Sequence, residues 1–191
     1  MKKRIKEEQL QDDCWIYIML LTTLTILLES LKKYTFHINN VDLSFSILLL
    51  PFVYFLANYI CKKYDYKKAV AAIAISGVMF VSFSAIISFA FGERLILTNV
   101  SGDFCGYVVS QFVNLTLYVF LLNNTKMSII LLYLNYLFSL IIYYMIYTLI
   151  YLNITTLDNY WPVYFITIGI QMIICLPISI IDKNIKKLKT T

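Results

Sequence analysis

Six apolar runs dominate this chain, and each is long enough to cross a bilayer: Cys14 to Leu31, Leu43 to Cys61, Ala69 to Phe91, Phe104 to Leu122, Met127 to Leu152 and Trp161 to Ile181. A hydrocarbon core about 30 Å thick calls for roughly 20 mostly apolar residues at 1.5 Å rise each. Barrel strands are excluded, because they are short segments of alternating polarity and these runs are nearly continuous. The expected fold is all-α: a polytopic membrane protein with six transmembrane helices. Composition agrees, since only 14% of the 191 residues are charged, against about 25% in soluble domains. Residues 1–13 are left as an amino-terminal segment, 14–181 as the membrane domain and 182–191 as a basic tail.

The stretch PFVYFLANYICKKYDYKKA, residues 51–69, ends in the densest basic turn of the chain. Lys and Arg collect in short cytoplasmic loops. With the amino terminus inside, 13 of the 16 basic residues fall on the cytoplasmic side, and only Lys32, Lys33 and Arg94 fall outside. Both termini are therefore expected in the cytoplasm. The net charge of +5 is a record of orientation, not of nucleic-acid binding, because it is divided among four separate segments. Met-Lys-Lys-Arg before an apolar run also resembles a secretory signal, but Glu7, Glu8, Asp12 and Asp13 intervene and no small-residue cleavage site follows.

Chemistry-bearing motifs are scarce. The one histidine, His37, has no His or Cys at ligand spacing, and Cys14, Cys61, Cys105 and Cys175 form no C-x-x-C pair. There is no G-x-S-x-G, H-E-x-x-H or Walker loop. The sequence predicts no enzyme, no catalytic residue, no metal and no cofactor.

Polar residues inside spanning helices are expensive and normally turn inward. Asp103, Tyr107, Ser110, Gln111, Asn114 and Tyr118 recur at steps of three and four, on one face of the fourth helix. Asn135, Ser139, Tyr143 and Tyr147 repeat the pattern in the fifth. Asn58 stands in the second helix and Gln171 in the sixth. The stripes suit a cavity lined with amides and phenols, although such groups also tie helices together at roughly 0.6 kcal/mol each. Pro51 and Pro177 each remove a backbone donor from a helix, and Gly77 marks a close-packing point.

Three stretches carry a resemblance. In residues 51–69, Pro51 is followed seven residues on by Asn58, then by Lys62, Tyr64, Asp65, Lys67, Lys68 and Ala69. SGDFCGYVVSQFVNLTLYVF offers Gly106, Tyr107, Ser110, Gln111 and Asn114, and NYLFSLIIYYMIY offers Ser139, Tyr143 and Tyr147. In this spacing, over residues 43–181, the chain resembles the vitamin uptake transporter family, six-helix bacterial importers of queuosine precursors. It departs from the family pattern at charged positions. Asn58 and Asn114 stand for aspartates, Tyr143 for a third, Lys62 for a glutamate and Asp65 for a glycine, and the sixth helix lacks an expected lysine.

The resemblance implies an importer in the bacterial cytoplasmic membrane whose partners are the bilayer and a small flat base of the 7-deazaguanine type. Asn58, Gln111 and Asn114 would hold the base's edge and Tyr107 or Tyr143 its face, with Ser139 beside them. Amides do not titrate, so Glu29 and Asp103 remain as candidates for carrying a proton. Two alternatives stay open. One is the substrate-binding subunit of an energy-coupling-factor importer, disfavoured by a first helix without alanine, CWIYIMLLTTLTILLESL. The other is a membrane scaffold whose polar stripes only bond helices together.

Overall fold

The computed structural model describes residues 2–32, 34–38, 41–90, 97–124, 128–151 and 160–185. Lys33, Arg94, Lys126, Lys186, Lys187 and Lys189, all used in the charge count above, lie outside the described residues.

The six helices are α1 (Lys2–Leu31), α2 (Ser46–Lys63), α3 (Tyr66–Ala90), α4 (Leu97–Asn124), α5 (Ile129–Tyr151) and α6 (Tyr160–Asn184). Each contains a span long and apolar enough to cross a membrane, so the chain is an all-α polytopic membrane protein. Several boundaries differ from expectation: α1 begins at Lys2, within the segment expected to precede it, and α4 begins at Leu97, ahead of Phe104. Leu43, expected to open the second helix, lies in a short antiparallel hairpin of β1 (Thr35–Ile38) and β2 (Val41–Ser44). Hydropathy alone does not separate a buried strand residue from a helix start, and Leu43 is almost fully buried. At the other end, α6 continues past Ile181 to Asn184, because Asp182 finds partners inside the bundle.

The hairpin joins α1 to α2 at the end of the bundle that the charge distribution assigns to the outside, called the outer end below. Phe45 N donates to Tyr34 O at 3.0 Å, and Ser44 Oγ donates to Leu31 O at 3.2 Å. His37 pairs with Asp42 across the two strands, and both are well exposed. On the opposite face only Tyr64 and Asp65 separate α2 from α3. Asp65 Oδ1 accepts from Lys68 N at 2.6 Å, which caps the first turn of α3.

α2 is the central helix and packs on all five others. Its span is 61% buried, whereas the other five are 28–39% buried. The outward faces carry Trp15, Ile16, Met19, Val78, Phe120, Phe138 and Ile173, as suits helices bathed in lipid. Lipid leaves helices without a hydrophobic drive to associate, so close approach and interhelical hydrogen bonds must hold the bundle. Gly77 and Gly106 provide the approach. A Cβ on Gly77 would stand 3.3 Å from the Phe104 ring, and one on Gly106 would stand 3.1 Å from Tyr143 O.

Candidate functional site

The polar stripe of α4 supplies the interhelical bonds. Its periodicity turns Asp103, Tyr107, Ser110, Gln111, Asn114 and Tyr118 to the interior, and all six are buried. Five of them reach partners on other elements. Asp103 Oδ1 accepts from Tyr143 Oη of α5 at 2.9 Å, and Asp103 Oδ2 pairs with Lys32 Nζ at 2.6 Å. Tyr107 Oη and Ser76 Oγ of α3 share a hydrogen bond of 2.6 Å. Ser110 Oγ accepts from Tyr54 Oη of α2 at 2.5 Å. Asn114 contacts α2 and α5, and Tyr118 contacts α6. Gln111 differs from the rest. Fully buried, it leaves both its amide nitrogen and its carbonyl oxygen without a partner.

Asn58 and Asn114 meet edge to edge. Asn114 Nδ2 donates to Asn58 Oδ1 at 2.8 Å, and Asn58 Nδ2 donates to Asn114 Oδ1 at 3.2 Å. Asn135 Nδ2 donates to the same Asn114 oxygen at 2.9 Å, leaving its own carbonyl oxygen unpartnered. Two of the three residues expected to hold a base's edge are thus brought together and spend their amides on each other. Ser139 is buried on the neighbouring turn of α5, where its hydroxyl donates to Asn135 O at 2.8 Å. The ring of Tyr107 is stacked on Phe80, with 6.2 Å between centroids and 14° between planes.

At the outer end a cavity of about 270 Å³ opens between the hairpin, α5 and α6. Tyr143 lines it with Asp103, Lys32, Tyr144, Tyr147 and Tyr164. Lys32 Nζ bridges Asp103 and Glu29, the latter at 2.5 Å, and lies 4.8 Å from the centre of the Phe80 ring. Gln171 of α6 donates its amide to Tyr144 Oη at 2.9 Å and to Ile47 O at 3.3 Å. The second of these bonds has its origin in Pro51. A residue at 51 would ordinarily donate to the carbonyl four residues back, but proline has no N–H. Gln171 takes over that carbonyl from the neighbouring helix.

The inner end holds a cluster that sequence reasoning missed. Asp182 is fully buried and accepts from Tyr118 Oη of α4 and Tyr136 Oη of α5, each at 2.7 Å. Lys62 Nζ of α2 donates to Asp182 O at 2.5 Å and stands 3.4 Å from its carboxylate. Lys62, expected as one cation of the basic cytoplasmic turn, is a buried partner of α6. Its neighbour Lys63 points elsewhere, with Nζ 4.6 Å from the centre of the Tyr17 ring and about 5.5 Å from those of Tyr59 and Tyr64. The available signal for the inner cluster was a pair of phenols, Tyr118 and Tyr136, deep in apolar helices without an evident partner.

No family model matches this chain, and no curated protein or solved structure does either. Among the described residues no group of three or more His, Cys, Asp or Glu side chains is placed to hold a metal ion.

Proposed function

We propose that this membrane protein is an importer of a small, flat, hydrogen-bonding compound, and that Gln111 is its central contact. One observation carries the reading: Gln111 is fully buried with both ends of its amide unused, on a helix face where every other polar member is bonded. Leaving a buried amide unpaired costs about 1–3 kcal/mol. A partner that comes and goes accounts for that cost better than a fixed structural role. An amide with donor and acceptor both open is complementary to a lactam edge, which presents N–H beside C=O.

The approach is from outside. Asp103 lines the outer cavity and lies two turns above Gln111 on the same face of α4, roughly 12 Å along the axis. A volume of 270 Å³ is at the low end of ligand sites, which run from about 300 Å³, and so suits one fused ring system. Tyr143, Tyr144, Tyr147 and Tyr164 provide aromatic walls.

The finer reading is a queuosine precursor carried across a bacterial cytoplasmic membrane. Its support is the resemblance, together with one structural coincidence. The pattern asks for an acid at 62 and a lysine in the sixth helix; here a lysine at 62 meets an acid, Asp182, in α6. Both departures together keep opposite charges between α2 and α6.

A non-transporting scaffold is favoured by a different observation, the Asn58–Asn114–Asn135 linkage, which needs no ligand. The deciding experiment is rescue of queuosine in tRNA in bacteria unable to make or import its precursors, with each precursor supplied at limiting concentration. Rescue that is lost in Gln111→Leu supports the importer. Absence of rescue with the protein present in the membrane removes queuosine precursors as cargo.

A further inference from the structure

The two buried aspartates are built alike. Asp103 at the outer end accepts from Tyr143 of α5 and pairs with Lys32, which directly follows α1. Asp182 at the inner end accepts from Tyr136 of α5 and pairs with Lys62, in the last turn of α2. Each carboxylate thus binds one lysine at a helix end and one tyrosine of the same helix. Tyr136 and Tyr143 are seven residues apart, two turns along one face of α5. The inner aspartate has a further donor in Tyr118 of α4.

Their surroundings differ. The inner pair is dry, with side chains of Lys62 and Asp182 only 4% and 0% exposed. The outer pair is partly open, at 23% and 10% for Lys32 and Asp103, and Lys32, Asp103 and Tyr143 all stand on the cavity wall. Water weakens an ion pair, whereas parting a dry pair leaves an uncompensated buried charge.

We propose that Asp103 and Asp182 are the outer and inner latches of an alternating-access cycle, and that the structure stands with both made, the outer one alone reached by a cavity. The proposal rests on the transport reading above and adds the device that moves. α5 carries a tyrosine into both latches, and a tilt about its middle moves its two ends in opposite directions, so drawing Tyr136 off Asp182 presses Tyr143 toward Asp103. Release inside is thereby linked to rearrangement outside. The groups facing Asp182 are Lys62, Tyr118 and Tyr136, and those facing Asp103 are Lys32 and Tyr143, with Glu29 on the far side of Lys32.

Ser139 is the natural reporter, because it is fully buried on α5 between the two tyrosines. The test uses the full chain with its four native cysteines replaced by alanine and Ser139→Cys introduced. A membrane-impermeant maleimide is applied to right-side-out and to inverted vesicles. Asp182→Asn is expected to raise labelling from the inner face at least tenfold with little change from the outer face, and Asp103→Asn is expected not to raise inner labelling. Tyr136→Phe removes one hydroxyl and should shift labelling in the same direction by less; it serves in place of Asp182→Asn if that variant is not recovered folded. Unchanged inner labelling in a folded variant overturns the proposal. An equal rise from both faces also overturns it, since that is a loosened bundle. Labelling needs no cargo, so these outcomes are separate from any failure of precursor rescue.

Discussion

Asn58 and Asn114 hydrogen-bond to each other twice across the α2–α4 interface, with the amide of Asn135 joining from α5. The two amides form a closed ring, and that arrangement separates positions that hold the bundle together from Gln111, the one member of the α4 stripe that holds nothing. In lipid such bonds average about 0.6 kcal/mol and reach about 1.7. Asn58→Leu and Asn114→Leu should each destabilise the protein by about 1–2 kcal/mol, with the double variant costing clearly less than the sum. Unfolding of the four proteins in detergent gives the coupling directly, and strict additivity would show that the two amides act independently.

Gln111→Leu should behave in the opposite way. It removes an amide with no bond to lose, so stability should hold or rise by about 1 kcal/mol while uptake disappears. Thermal unfolding and uptake measured on the same preparations check both halves. Loss of stability with unchanged uptake would return Gln111 to a purely structural role.

Lys62→Met leaves a buried aspartate without its counter-ion, and breaking one partner of a buried pair typically costs about 3–5 kcal/mol. Adding Asp182→Asn in the same chain should recover a large part of that loss, because Tyr118 and Tyr136 can still donate to the amide oxygen. Denaturation of the single and double variants measures the recovery. A double variant no better than Lys62→Met would mean that Lys62 matters through packing of its alkyl stem.

The Pro51–Gln171 relation predicts a second coupling. Pro51→Ala restores a backbone donor to Ile47 O and releases Gln171 from that carbonyl. Gln171→Leu should therefore be less damaging, by about 0.5–1 kcal/mol, when Pro51→Ala is present. Equal costs in the two backgrounds would show that the bond to Tyr144 carries the whole role of Gln171.

Gly106→Val tests the α4–α5 approach. Its added carbons would crowd Tyr143 O, only 3.1 Å from the first of them, at a cost of about 1–3 kcal/mol for forced separation. Tyr143 would also be drawn from Asp103. Reduced melting temperature with an altered outer cavity in a structure of the variant is the expected result.

Much of this was legible in the chain because membrane helices advertise themselves by length, and an interior stripe by its 3.6-residue period. The α4 face from Asp103 to Tyr118 was read in full on that basis. Periodicity names a face and not the neighbour it meets, so the pairing of Asn58 with Asn114 could not be read. Asp182 was lost in the tail because it follows the hydropathic end of α6 and precedes Lys183. The burial of Lys62 is not legible because the positive-inside rule sorts charges by side without asking which way they point. The hairpin escaped because strands of four residues are too short to display alternation.

The inner ion pair also has a consequence for how the chain is made. Lys62 and Asp182 lie 120 residues apart in sequence, and their helices are the second and the sixth of the bundle to leave the ribosome. At about 5–20 residues per second, the lysine precedes its counter-charge by roughly 6–24 s. During that interval α2 must rest with its inner end at the headgroups, where a long ammonium-bearing chain can reach water. Its burial waits for α6, so a chain cut short before that helix would leave the basic end of α2 exposed for quality control to recognise.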